Sequence, residues 1–156
     1  PVPEFFSQFS SSFTYTPENS SSAEFYRLCD ELGWEKNEPQ RTQAHKEFKN
    51  ALTRQFNTNY GTEKNSLESW QALCKHLGAN PVPKTLNRCR QMVMTTHVNL
   101  VDLVDVFESD KVATVFDTVE ELSRYTMATG KYFPREDIDA GDLLKHLLRP
   151  ILNPSM

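Results

Sequence analysis

A chain of 156 residues, 38% of them hydrophobic, is sized for one domain with a substantial core, and its net charge of −4 gives no general attraction to nucleic acid or anionic lipid. No run approaches the ~20 apolar residues of a membrane span, and no signal peptide is visible. The cysteines Cys29, Cys74 and Cys89 are odd in number and widely spaced, which speaks against a disulfide framework and for an intracellular compartment, cytoplasm or nucleus. The chain begins at Pro1 rather than Met, so it reads as a trimmed chain or a piece of a longer one, and a targeting segment ahead of it stays open.

Residues 1–20 carry Phe5, Phe6, Phe9, Phe13 and Tyr15 among serines and prolines. They read as an extended, aromatic-rich N-terminal arm, because so many rings, each burying on the order of 150–200 Å², are too costly to leave in water. The rings are expected to dock on the body of the protein or on a partner. Residues 21–152 read as a single helical domain. Its first helix opens on a capping box, Ser21 with Glu24, carries the stripe Phe25, Leu28 and Leu32, and stops at Gly33, with Trp34 closing over the end. The second starts at Pro39 and buries Ala44, Phe48, Ala51, Leu52 and Phe56. The third has Asn65 and Glu68 as cap pair, Leu67, Trp70, Leu73, Cys74 and Leu77 as stripe, and Gly78 as stop.

After a proline-stiffened loop, Thr85 caps a fourth helix with Leu86, Cys89, Val93 and, at its end, His97 inward. The run from Asn99 to Phe107 is the most apolar in the chain and reads as a central buried helix. Asp102 and Asp105, three apart, are expected to share its one wet face. Whether residues 85–108 make one bent helix or two, with Asn99 as second cap, the pattern leaves open. Thr118 and Glu121 cap a further short helix that ends at Gly130; Pro134 opens the last segment, packed through Leu143, Leu144, Leu147, Leu148 and Ile151 and limited or kinked by Pro150. The fold class expected is all-α, an irregular bundle of about five to seven helices.

The chemistry-bearing residues form no recognisable constellation. Cys74 and His76, two apart on a helix, face nearly opposite ways and cannot share a metal. Cys89 and His97 stand ~12 Å apart along a helix, too far for a nucleophile and its base. Gly130-Lys131 lacks the upstream glycine of a phosphate loop. The expectation is therefore a protein that is not an enzyme, with no metal, no cofactor and no evident small-molecule substrate.

Charge is more informative. Lys84, Arg88 and Arg90 fall in a stretch, Lys84 to Val98, that holds no acid. The next stretch, Asn99 to Glu121, sets Asp102, Asp105, Glu108, Asp110, Asp117, Glu120 and Glu121 against Lys111 alone. Lys46, Lys49 and Arg54 add a second basic group on the exposed side of the second helix. This polarity fits a non-catalytic interaction module, complementary to a protein partner or to a second copy of the chain, whose contact surfaces are the basic face around Arg88 and Arg90 and the arm with Phe5 and Phe6. The other reading is a nucleic-acid-binding helical module that presents the basic helix 85–97 to phosphates. A connection longer than a helix-turn-helix allows, and the negative net charge, weigh against it. An ordinary solvated surface explains the same residues equally well.

One resemblance emerges. Gly33-Trp34, Trp70-Gln71 with Leu73-Cys74 and Leu77-Gly78, Cys89-Arg90, and His97-Val98-Asn99 with Val101-Asp102 follow one another along the chain. Tyr125-Thr126, Thr129-Gly130-Lys131, Phe133-Pro134 and Leu147-Leu148-Arg149 come after them. In this order they resemble a group of small helical proteins known mainly as uncharacterised products of filamentous fungi. The resemblance runs from about Phe5 to Arg149 and rests on packing and turn signals. It implies a fungal, intracellular origin and assigns no activity or site residue.

Overall fold

The computed structural model describes residues 1–152. Among them are the helices α1 (Val2–Ser7), α2 (Ser21–Glu31), α3 (Pro39–Tyr60), α4 (Leu67–His76), α5 (Leu86–Met94), α6 (Leu100–Asp105), α7 (Val119–Thr129) and α8 (Asp142–Leu152). Two short strands, β1 (His97–Val98) and β2 (Val115–Phe116), pair antiparallel with His97 opposite Phe116. The expected all-α irregular bundle is what forms. No helix among the described residues is long and apolar enough to cross a membrane.

The organising element is α3, which packs against α1, α2, α4 and α6. Its inward stripe Ala44, Phe48, Ala51, Leu52 and Phe56 is buried as the spacing requires, and Tyr60 extends it. On one side α4 lies along α5, and α5 reaches α8; on another, α7 covers the two-stranded ribbon. Leu143, Leu144 and Leu147 of α8 are fully buried. Pro134 does not open that helix, which begins only at Asp142. The expected packing of Ile151 and effect of Pro150 lie outside the described side chains.

The N-terminal arm is not extended over its first residues. Val2, Phe5, Phe6 and Phe9 recur at i, i+3, i+4 and i+7, a helical period with Glu4 favourably placed in the first turn, and α1 forms on it. Phe6 is only 1% exposed and stacks on Tyr15 at 4.3 Å between ring centroids. Phe5 meets Phe25 and Phe48, and Phe9 meets Trp34 edge-on. The arm is thus part of the same core as the helices, not a separate unit.

Glu24 secures that join. Instead of reaching back to its own helix start, its carboxylate accepts from the Thr16 amide (2.6 Å), the Asn19 amide group (3.3 Å) and Arg27 (2.9 Å). The Arg27 guanidinium then lies over the Phe13 ring at 4.2 Å. The cap of α2 is Ser20, which accepts from Ala23, and that of α4 is Ser66, which accepts from Ser69. Each sits one residue from the expected position. Thr85, Asn99 and Thr118 cap α5, α6 and α7, so residues 85–108 form two helices joined through β1. Gly130 ends α7 at φ 68°, and a Cβ there would come within 2.8 Å of the Tyr26 ring. Both facts call for glycine.

Candidate functional site

On α3, Lys46, Lys49, Asn50 and Arg54 follow at i, i+3, i+4 and i+8, which sets them along one side of the helix. They line a concave cleft of about 970 Å³ together with Glu47 of the same helix, walled by Glu4 and Phe5 of α1, by Gln8 just beyond it and by the loop Pro134–Ile138. That volume is at the upper end of ordinary ligand pockets. Four of the residues singled out from sequence, Lys46, Lys49, Arg54 and Phe5, therefore meet at one site.

The two ends of the stripe differ. At the C-terminal end the chain's own acidic loop is tied down. Asn50 donates to Asp137 (3.1 Å) and to Asp139 (2.9 Å), Arg54 Nε pairs with Asp139 at 3.2 Å, and Asn57 donates to the Asp139 carbonyl at 2.8 Å. Asn50 and then Arg54 hold the Asp139 carboxyl below the ordinary carboxylate range. At the N-terminal end, no ion pair or hydrogen bond among the described residues engages the ammonium group of Lys46 or of Lys49. Between the ends Ile138 is 96% exposed at the rim of the cleft. An isoleucine this exposed at the edge of a concavity, beside unpaired cations, has the makings of a contact point.

The remaining predicted contacts are distributed otherwise. Lys84 and Arg88 are exposed at the start of α5, away from the cleft lining. Arg90 is turned inward: its guanidinium donates to the Lys64 carbonyl (2.6 Å) and to Asn65, and its face lies 5.6 Å from the Trp70 ring. Trp70 donates to the same carbonyl at 2.8 Å. Arg90 thus holds the loop ahead of α4 and is not a free surface charge. Phe6 is buried beneath α1 and Phe5 shows only an edge to the cleft, so neither ring is an exposed contact; both are held by the core that the arm helps to build.

The acids of α6 are the largest correction. Asp102 is only 7% exposed. It receives Lys131 Nζ at 2.8 Å and the Tyr125 hydroxyl at 2.6 Å, and Lys131 also donates to that hydroxyl at 2.6 Å. Asn99 completes the junction by donating to Thr126 (3.1 Å) and to the Lys131 carbonyl (2.9 Å). Burial alone would lower the Lys131 amine, but Asp102 and Tyr125 together hold it above its ordinary range. Burial, and then Asp102, push the Tyr125 hydroxyl up. Asp105 accepts the Ser21 amide at 3.1 Å, and burial pushes its carboxyl up to about 6. The expected wet face is largely covered: Tyr125 of α7 and Lys131 just beyond it close over Asp102, and the start of α2 lies against the half-buried Asp105.

The thiols are packing groups with weak hydrogen bonds. Cys74 Sγ donates to the Cys89 carbonyl (3.5 Å) and Cys89 Sγ to the Pro83 carbonyl (3.3 Å), and burial pushes the Cys74 thiol up to about 12. Such a thiol is protonated at neutral pH and a poor nucleophile. No group of three or more metal-type side chains comes together among the described residues. Comparison of the chain with protein-family models, with curated proteins and with solved structures returned no match.

Proposed function

We propose that this domain is a non-catalytic protein-interaction module, and that its contact surface is the cleft along α3. The observation that carries the reading is the convergence of Lys46, Lys49 and Ile138, all without intramolecular engagement of their polar or apolar ends, on one concavity. The nucleic-acid reading of helix 85–97 has weaker support. Arg90 is committed to the Lys64 loop and residues 97–98 form a strand, which leaves Lys84 and Arg88.

Affinity capture from lysate, with and without nuclease, tests this against two charge-reversed variants. Lys46→Glu/Lys49→Glu is expected to lose a nuclease-resistant partner that Lys84→Glu/Arg88→Glu retains. The opposite pattern, or partners that vanish on nuclease treatment, overturns the assignment.

A further inference from the structure

Residues 111–114 lead into β2 without a turn or bend, and the run from Lys111 to Asp117 is exposed apart from Ala113 and, in part, Phe116. Its composition suits a strand. Val112, Thr114, Val115 and Phe116 are β-branched or aromatic, and no proline or charge falls between Lys111 and Asp117. Among the described residues β2 pairs with β1 alone, so its sheet has only two strands. Lys111 and Ala113 turn their main-chain groups to α4: the Lys111 carbonyl lies 3.2 Å from His76 Nδ1, and the Ala113 amide donates to the His76 carbonyl at 2.8 Å. In an extended chain the main-chain groups of Val112 and Thr114 then point the other way. Val112 and Val115 stand 53% and 48% exposed, too much apolar surface to have been finished by the chain's own packing. A free edge is usually blunted by an internal charge or a proline, and neither interrupts this one.

The charges at its two ends single out the occupant. Lys111 and Asp117 flank the apolar run symmetrically about Thr114, and no ion pair or hydrogen bond among the described residues engages the ammonium or the carboxylate. An antiparallel second copy, with Thr114 on the two-fold axis, sets each Lys111 opposite Asp117 of the other copy. Val112 then faces Phe116, Thr114 faces its own counterpart, and Asp110 falls opposite the uncharged Thr118. Opposite charges and threonine pairs across strands are both stabilising. Moving the axis to Ala113 or Val115 loses both charge pairs, so this register is the self-complementary one. We propose that the chain forms a two-fold homodimer by antiparallel pairing of its 111–117 edges, joining two ribbons into one sheet in the order β1-β2-β2-β1. The new ladder uses the main-chain groups of Val112 and Thr114. Lys111 and Asp117 therefore fall at non-hydrogen-bonded positions, where facing side chains come closest. The surface is separate from the α3 cleft, whose lining includes none of residues 111–117. An interface this small gives a weak, concentration-dependent dimer.

Sedimentation equilibrium of the whole chain over a range of protein concentrations is the test. Wild type is expected to pass from monomer to dimer as concentration rises. Lys111→Asp and Asp117→Lys each set like charges opposite one another, and each is expected to raise the dissociation constant by roughly tenfold or more. The double variant Lys111→Asp/Asp117→Lys restores opposite charges in reverse order and is expected to dimerise as wild type does. Lys46→Glu/Lys49→Glu, altered in the cleft alone, is expected to dimerise normally, which keeps the dimer and the cleft reading separately testable. Circular dichroism confirms that each variant is folded. A wild type that stays monomeric at every concentration overturns the proposal. A dimer indifferent to Lys111 and Asp117, or one that the double variant fails to regain, overturns it equally.

Discussion

The junction between α6 and α7 and the cleft on α3 are built from the same kinds of residue and do opposite things. In the junction, Asp102, Tyr125, Lys131 and Asn99 spend their polar atoms on one another behind a nearly closed surface. In the cleft, Lys46 and Lys49 reach no partner among the described residues, and the acids that do bind the stripe come from a loop at the surface. A buried charge has to be neutralised within the chain, because taking it out of water unpaired costs several kcal/mol. An exposed charge has no such obligation, and water can satisfy it until something better arrives. What separates the charges of the junction from those of the cleft is thus not residue type or spacing but whether the fold has completed their hydrogen bonding.

The contrast breaks most severely in the shared core. Phe6→Ala should lower unfolding free energy by roughly 3–5 kcal/mol in urea denaturation, since the ring is almost wholly buried. A negligible loss would detach α1, and with it one wall of the cleft, from the core. Lys131→Ala comes next, at about 3 kcal/mol, because it leaves the Asp102 carboxylate buried without its cation. Were it silent, the junction would be ordinary surface and the distinction drawn above would fail.

Asp105 sharpens the buried side through pH. Its carboxyl is raised from 3.8 to about 6 in the folded protein, so the folded state holds the proton more tightly than the unfolded chain. The protonated form therefore contributes stability below pH 4, and that contribution is lost as pH rises through 6. Asp105→Asn, which can still accept from the Ser21 amide, should be more stable than wild type at pH 7 by about 2 kcal/mol. The gain should vanish near pH 4. The same difference at both pH values would contradict the assignment. At the small end, Lys46→Ala should shift stability by less than about 0.5 kcal/mol, since no contact is lost.

The pattern of legibility follows the same physics. The stripe of α3, the stops at Gly33, Gly78 and Gly130, and the caps at Thr85 and Thr118 are local, and local periodicity displays them. The caps of α2 and α4 slip by one because neighbouring serines and asparagines offer equivalent oxygens, and only the backbone trajectory decides between them. Helix α1 is missed for a different reason. Val2, Phe5, Phe6 and Phe9 do carry a helical period, but it is short and followed by a serine run that obscures it. The covered face of α6 is not legible locally, since Lys131 and Tyr125 approach Asp102 from an element over twenty residues away. From sequence alone, Arg88 and Arg90 stood ahead of Lys46, Lys49 and Arg54 as a contact surface. The fold separates them by giving the α3 group a concavity and turning Arg90 inward.

The central claim is that the unpaired end of the α3 stripe is where a partner binds. Site-specific photo-crosslinking tests it most directly, with a photoreactive residue placed at position 46 in one preparation and at position 88 in another, each irradiated in native lysate. The account predicts a discrete, nuclease-resistant adduct from position 46 that excess unlabelled protein competes away, and none from position 88. Adducts from position 88 alone would contradict it and return the contact surface to α5.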